Sequence, residues 1–186
     1  MATHTIVTAL TRQGAGVPAQ VRPVSDEDLA YQLAAGPPPS AIKIGLVPDD
    51  HADRLRDFVV NAGVPTVVDP VLRASDGGAL GSSVAGLLPL LRVATLVTPN
   101  ADEGRSLSAP LEFKLDSIVH RLGPTVAVLL KGGPFSTPES VEDLLWDEEA
   151  RHRWSHARQA HDPRGTGCAL ATAIAVRLIR SGEIAP

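Results

Sequence analysis

Short apolar runs alternate along the chain with longer stretches in which apolar residues recur at helical spacing. The short runs predict strands at 5–10, 41–47, 66–68, 94–98 and 125–131, and a hairpin formed by 141–146 and 151–157. The longer stretches predict a helix that begins at Ser25 and helices over 49–62, 82–91, 111–122 and 165–181. Several runs are apolar on both faces, which is typical of a mostly parallel sheet covered by helices on each side. The pattern therefore predicts a single α/β domain over residues 1–186.

Some of the predicted helices carry clear end signals or an apolar face. Ser25 precedes three acidic residues, which favour the positive end of a helix dipole. Gly63 follows the second helix and is its expected C-cap. In the last helix we expect Leu170, Ile174, Leu178 and the neighbouring alanines to be buried.

The composition excludes several classes of function. The chain has 186 residues, with 17 Lys and Arg against 21 Asp and Glu, and a net charge of −4. This charge does not suit a general nucleic-acid binder, and an aromatic content of 3% offers few stacking surfaces. No apolar run reaches the roughly 18 residues of a membrane span, and the single cysteine cannot form an internal disulfide. We therefore expect a cytoplasmic protein that binds neither nucleic acid nor membranes.

The segment most informative about chemistry is 162–168, DPRGTGC, which runs directly into the last helix. Gly165 and Gly167 allow a tight turn and a close approach of the backbone to a ligand. The first amide groups of a helix and its dipole favour an anion such as phosphate. Cys168 lies in the first turn, where this field favours a thiolate that could take a proton from a substrate hydroxyl. A glycine-rich helix start that only packs well, and an inert cysteine, are the alternatives.

Charged and polar side chains follow three of the predicted strands. Asp69 follows 66–68, Asn100 and Glu103 follow 94–98, and Lys131 ends 125–131. Ligands bind at the carboxyl edge of open α/β sheets, so these side chains are candidates for holding Mg²⁺ and phosphate. The alternatives are turn formation at Asp69, a solvated Lys131 and helix capping by Asn100 and Glu103. Spacing alone favours capping.

Taken together, these residues point to phosphoryl transfer. Right-handed crossovers place the loops after parallel strands on one side of the sheet, beside the start of the last helix. Carboxylates, a lysine and an anion-binding helix are what transfer of a phosphoryl group from Mg²⁺–ATP requires.

Seven stretches together resemble the ribokinase-like superfamily and, within it, the hydroxymethylpyrimidine and phosphomethylpyrimidine kinases of thiamine biosynthesis. They are TALTRQ at 8–13, AIKIGL at 41–46, VVDPVL at 67–72, LVTPNADE at 96–103, VLLKGG at 128–133, DLLWD at 143–147 and GTGC at 165–168. The resemblance implies a three-layer αβα fold with a mostly parallel central sheet, with ATP as co-substrate and Mg²⁺ as cofactor. Cys168, where the sugar kinases of this superfamily carry aspartate, points to the pyrimidine branch or to pyridoxal kinases.

The resemblance also implies how the site handles the phosphoryl group. An anion hole for that group would be formed by Gly165, Thr166 and Gly167. Cys168 would be the base toward the hydroxymethyl group of the substrate, and Lys131 would lie near the nucleotide phosphates.

Two further sets of residues follow from the same resemblance. The residues on the Mg²⁺–phosphate side would be Asp69, Asn100 and Glu103. The residues that bind or line the pyrimidine ring would be Gln13, Gly45 and Val71.

The chain departs from the family pattern at both ends. Family members begin with a strand and a glycine-rich segment ahead of the first matching stretch, and they continue with further helices after GTGC. We therefore expect a shortened domain whose sheet has an open edge, and such an edge invites pairing with another chain, for example in a homodimer. Three functions stay open: kinase action on a hydroxymethylpyrimidine or its phosphate, kinase action on pyridoxal-type substrates, and binding of a ligand or partner without catalysis.

Overall fold

The computed structural model describes residues 2–14, 17–72, 80, 82–133, 136–148, 150–160 and 165–181. The strands are β1 (Ala9–Gly14), β2 (Val17–Pro23), β3 (Ile42–Ile44), β4 (Thr66–Val68), β5 (Leu96–Val97), β6 (Ala127–Leu130), β7 (Ser140–Trp146) and β8 (Arg151–Ala157). The helices are α1 (Asp26–Ala35), α2 (Asp49–Ala62), α3 (Val84–Leu91), α4 (Ala101–Ser108), α5 (Leu115–Leu122) and α6 (Thr166–Ser181).

The central sheet has six strands in the order β3-β4-β5-β6-β7-β8. The strands from β3 to β6 are parallel, while β7 and β8 pair antiparallel at one side. Parallel neighbours need crossover connections, and helices α2 to α5 make them here. The four parallel strands therefore end at the same edge of the sheet. This mixed, mostly parallel sheet with its helices confirms the predicted α/β class.

Helices cover the two faces of the sheet unequally. Buried apolar residues of α2 to α5 form one cluster against one face of β3 to β6. On the other face, α6 packs against the sheet through Ala171, Ala175 and Leu178. Within the described part of the chain, α6 is the one helix that contributes to this second cluster. Among the described residues, the third layer of the fold is therefore formed by α6 alone.

The local signals read from the sequence are found at their predicted places. Ser25 caps α1, and its hydroxyl accepts a hydrogen bond from the backbone N–H of Asp28 at 3.0 Å. Helix α2 covers the predicted residues and ends at Gly63, whose φ of +60° places it in the left-handed region that favours glycine. Strand β4 has the predicted bounds, and β7 and β8 form the predicted hairpin.

The strand predicted at 5–10 is wrong over most of its length. Residues 2–8 are irregular, and β1 begins only at Ala9. The segment instead runs along α1, where Gln32 accepts the N–H of Val7 at 2.8 Å and donates to its carbonyl at 3.1 Å. Strand β1 pairs antiparallel with β2, which the sequence analysis did not predict, and the two form a ribbon separate from the main sheet.

The prediction for the buried face of α6 is also partly wrong. Leu170 is 39% exposed and Ile174 is only partly buried, whereas the neighbouring alanines Ala171 and Ala175 are buried as predicted. The helix contacts the sheet through one narrow line of positions that includes Leu178, as predicted. None of the helices in the described ranges is long and apolar enough to span a membrane.

Candidate active site

The carboxyl edge of the parallel strands brings together residues that are far apart in sequence. Asp69 directly follows β4, Thr98 directly follows β5, and Lys131 directly follows β6. The first turn of α6 faces the same edge, since Cys168 Sγ lies 3.5 Å from Asp69 Oδ2. The strand ends and the helix start that the sequence analysis singled out therefore meet at one place.

Asp69 is the centre of the hydrogen bonding at this edge. Its side chain is 6% exposed. Lys131 Nζ donates to Asp69 Oδ1 at 2.9 Å, and Thr98 Oγ1 donates to the same oxygen at 3.3 Å. Cys168 Sγ donates to the other oxygen, Oδ2. Both carboxylate oxygens are engaged, and the nearly buried ammonium group of Lys131 balances the charge of Asp69.

Two glycines let the first turn of α6 come close to Lys131. Gly165 has a φ of +86°, a left-handed conformation that favours glycine. A Cβ on Gly167 would lie 3.0 Å from Lys131 Nζ and 3.8 Å from Asp69 Oδ2. A helix N-terminus and an ammonium group therefore lie side by side, an arrangement that suits an anion. Residues 162–164 of the motif lie outside the described residues.

Asn100 and Glu103 form a capping box at the start of α4. Asn100 Oδ1 accepts from the backbone N–H of Glu103 at 3.0 Å, and Glu103 Oε2 accepts from the N–H of Asn100 at 2.8 Å. The capping interpretation is therefore observed, while a role of either residue with Mg²⁺ or phosphate stays a prediction. Burial raises the pKa of Glu103 to about 7, and the negative charge of Asp69 adds to the rise.

Asp69 and Glu103 are the candidate metal-binding groups. They lie close enough for the charge of Asp69 to raise the pKa of Glu103. Among the residues that the structure describes, no group of three or more His, Cys, Asp or Glu could hold an ion by itself. Mg²⁺ in nucleotide sites is usually held by one or two carboxylates, with phosphate oxygens and water completing its shell. The two carboxylates therefore fit Mg²⁺ that arrives with a nucleotide.

Two of the three residues expected near a pyrimidine ring lie beside Asp69. Gly45 follows β3, and the preceding Ile44 carbonyl accepts the N–H of Asp69 at 2.9 Å. Val71 donates its N–H to the Asp69 carbonyl at 2.8 Å, in a tight turn after β4. Gln13 lies in β1, but its side chain is outside the described part of the structure.

Sequence reasoning missed two residues at this edge, Thr98 and Asp143. Thr98 is fully buried, at 0% exposure, and donates to Asp69. Thr98 could have been found from the sequence, because it stands at the end of the predicted strand 94–98, next to the strand that precedes Asp69. Asp143 accepts the N–H of Gly132 at 2.8 Å, and its partner depends on a strand register that the sequence alone does not reveal.

Comparisons with known proteins identify one family. The sequence profile of the phosphomethylpyrimidine kinase family matches residues 1–185. The chain belongs to this family. A hydroxymethylpyrimidine/phosphomethylpyrimidine kinase of Rhizobium meliloti is 35% identical over 195 residues, covering 94% of this chain and 71% of the relative. The family that the seven sequence stretches resemble is thereby confirmed.

Some relatives of this member of the phosphomethylpyrimidine kinase family are longer proteins. The chloroplastic thiamine biosynthetic bifunctional enzyme of Arabidopsis thaliana is 28% identical over 200 residues, and the chain covers 37% of that enzyme. The chain therefore spans just over a third of the plant enzyme and a larger share of the bacterial one.

Solved structures show the same fold. The pyridoxal kinase of Staphylococcus aureus in complex with pyridoxal matches with a TM-score of 0.79 and 23% identity, over 96% of this chain and 70% of that one. The phosphomethylpyrimidine kinase of Clostridium difficile matches with a TM-score of 0.71 and 23% identity, over 96% and 78%. The ribokinase-like fold expected from the sequence is thus confirmed.

Proposed function

We propose that this chain transfers the γ-phosphoryl group of ATP to the hydroxymethyl group of a hydroxymethylpyrimidine or its phosphate, in thiamine biosynthesis. The observation that carries the proposal is the meeting of Lys131, Asp69 and Cys168 at the start of α6. Membership of the phosphomethylpyrimidine kinase family supports the same reaction.

Lys131 and the first turn of α6 stabilise the transferred group in this proposal. Charge spreads over the equatorial oxygens of a phosphoryl group in transit, so fixed donors around it lower the barrier. The ammonium group of Lys131 offers one such donor beside the nucleotide phosphates. The backbone groups that form the anion hole belong to Gly165, Thr166 and Gly167.

Asp69 and Glu103 are the residues that would hold Mg²⁺, with Asn100 on the phosphate side of the same loop. The bound ion neutralises phosphate charge. In its absence Glu103 has a pKa of about 7, so the site carries less than its full negative charge near neutrality. A cation that favours the ionised carboxylate is therefore expected to lower that pKa on binding.

Cys168 is the group placed to receive the hydroxyl proton. The substrate oxygen bonds to the γ-phosphorus while the bond from that phosphorus to the bridging oxygen breaks, and ADP leaves with the bonding electrons. The sulfur is exposed and donates its own proton toward Asp69 Oδ2. The thiolate form of the sulfur would accept the proton of the hydroxyl group as the new bond to phosphorus forms, while Asp69 keeps its ion pair with Lys131. Gln13, Gly45 and Val71 are proposed to contact the ring.

The decisive experiment is incubation of the purified protein with Mg²⁺–ATP and hydroxymethylpyrimidine. We expect ADP in a coupled assay and the phosphorylated pyrimidine by mass spectrometry, with both lost when Mg²⁺ is chelated. Cys168→Ala should abolish most of the turnover. Absence of both products with the wild-type chain would overturn the proposal.

Pyridoxal is a second candidate substrate, because the solved pyridoxal kinases share this fold at TM-scores of up to 0.79. Running pyridoxal in parallel decides between the two rings through the ratio of kcat/KM values. If neither ring is phosphorylated but one of them raises Tm, the chain binds its ligand without catalysis.

We also propose that the chain works as a cytoplasmic homodimer. Among the residues that the structure describes, β3 is an edge strand of the main sheet, and an edge strand offers backbone groups for pairing with a second chain. A single cysteine suits a reducing compartment. Light scattering should give twice the chain mass of 19.5 kDa, and a strictly monomeric sample would contradict the dimer.

A further inference from the structure

A carboxylate of β7 that the proposed reaction does not use accepts a hydrogen bond from the turn after β6. Gly132 has a φ of +61°, so the chain turns sharply directly after Lys131. The N–H of Gly132 donates to Asp143 Oδ1 at 2.8 Å, and the N–H of Gly133 donates to the Glu142 carbonyl at 2.6 Å. The turn that carries Lys131 is therefore held to β7 at two consecutive residues.

The register between β6 and β7 places Asp143 beside the turn that follows β6. Leu129 pairs with Leu145 and Leu130 with Leu144, so the next residues beyond the paired ones are Lys131, which begins the turn, and Asp143 of β7. Leu129 and Leu145 both pack in the cluster that α6 covers. Because side chains two positions apart point to the same face, Asp143 and Lys131 share the face on which α6 begins.

Lys131 is fixed at two other points, and Asp143 completes the set. Its backbone N–H donates to the Pro99 carbonyl at 2.8 Å, and its ammonium group donates to Asp69 at 2.9 Å. Gly167 lies on the side of α6, and a Cβ added there would come within 3.0 Å of Nζ. Lysine has a long, flexible side chain, so its ammonium group holds one position only if the backbone beneath it is fixed.

We propose that Asp143 is a positioning residue for phosphoryl transfer: its carboxylate fixes the turn at Gly132 and thereby aims the ammonium group of Lys131 at the phosphate site. The inference rests on the proposed function for the role of Lys131. The competing interpretation is that Asp143 only stabilises the end of β7, as a carboxylate bonded to any backbone amide would.

Asp147 provides a matched control at the opposite end of the same strand. Its Oδ1 accepts the N–H of Ala150 at 2.7 Å, so it too is an aspartate that fixes a turn beside β7. That turn lies between β7 and β8, away from the parallel strand ends. Asp143→Ala and Asp147→Ala therefore remove the same kind of bond, but only the first removes it next to Lys131.

Kinetics with Mg²⁺–ATP and hydroxymethylpyrimidine separate the two interpretations. Loss of a charge-assisted hydrogen bond predicts a drop of about tenfold in kcat/KM for ATP in Asp143→Ala. Asp143→Asn, which keeps an oxygen acceptor, should recover most of this loss, and Asp147→Ala should match the wild type. Equal kinetics of the two alanine variants, or no recovery in Asp143→Asn, would overturn the positioning role.

A readout without turnover keeps this inference separate from the proposed function. Amine acetylation followed by mass spectrometry gives the reaction rate of Lys131 in each variant. We expect Lys131 to react several times faster in Asp143→Ala than in the wild type or in Asp147→Ala, since the ammonium group leaves its protected position. An unchanged rate would contradict the positioning role. Absence of ADP from the wild-type chain would contradict only the proposed kinase.

Discussion

Replacing Gly167 by alanine tests whether the position of the Lys131 ammonium group controls catalysis. The added Cβ would lie 3.0 Å from Lys131 Nζ, whereas ordinary van der Waals contact begins at 3.4 Å. The Lys131 side chain is only 16% exposed, and its ammonium group is held at 2.9 Å by Asp69. It must therefore move by about 0.4 Å, which lengthens the bond to Asp69 or turns Lys131 away from the helix.

Activity and stability should change in opposite directions in Gly167→Ala. The φ of Gly167 lies outside the left-handed region, so alanine fits the backbone. Alanine for glycine in a helix gains about 0.5–1 kcal/mol, which corresponds to a rise in Tm of roughly 1–4 °C for a chain of this size. A misplacement of about 1 Å can cost a factor of about 100 in rate, so a few tenths of an ångström predict a loss of roughly tenfold in kcat.

The assay measures ADP release at saturating Mg²⁺–ATP and thermal unfolding on the same preparation. Ala173→Gly, at an exposed position of α6, is the control. It should lower Tm while kcat stays at the wild-type value. Wild-type kcat in Gly167→Ala would refute the reasoning, because the ammonium group would then tolerate displacement. A parallel loss of activity and Tm would indicate a packing defect instead.

The remaining predictions concern the charged groups around Asp69. Cys168→Ala should lower kcat by at least about 100-fold with little change in Tm, because the exposed sulfur contributes mainly as proton acceptor. Lys131→Met should cost about 3–5 kcal/mol in urea unfolding, since the buried Asp69 loses its counter-charge. Adding Asp69→Asn should restore stability but not activity. Without Mg²⁺, Glu103 has a folded-state pKa of about 7 against its usual 4.5. Its contribution to the free energy of unfolding should therefore be complete below pH 4.5 and fall by about 3 kcal/mol as the pH rises through 7. Glu103→Gln, which keeps the capping acceptor, should remove that fall, and parallel pH curves of the two proteins would contradict it.

Elements with a clear apolar pattern could be predicted closely from the sequence. Strand β4 and helix α2 have their predicted bounds, because an apolar run between turn signals leaves few other arrangements. The ribbon of β1 and β2 could not be predicted in the same way. Both of its strands mix charged, small and apolar residues without a regular alternation, and most of its side chains that the structure describes are exposed.

The candidate site could be predicted as a set of strand ends, but not as a network of contacts. Asp69 and Lys131 stand after apolar strands, so topology alone places them at one edge. Asp69 binds Lys131, Thr98 and Cys168 at once. These contacts depend on the strand register and on the position of α6 against the sheet, which the sequence alone does not reveal. The buried face of α6 was predicted only in part for a related reason: the alanines and Leu178 face the sheet as expected, but Leu170 does not.

The two halves of the candidate site are held by different kinds of element. The charged groups follow hydrogen-bonded strands, whereas the proposed anion hole lies at the N-terminus of one helix, which packs against the sheet through Ala171, Ala175 and Leu178. From Ala175 to Gly167 the helix extends about 12 Å, at 1.5 Å per residue. A slight tilt of α6 about the alanines that contact the sheet would therefore displace its N-terminus by a larger distance. Core substitutions far from any reacting atom are thus expected to change how tightly the chain binds a phosphoryl group.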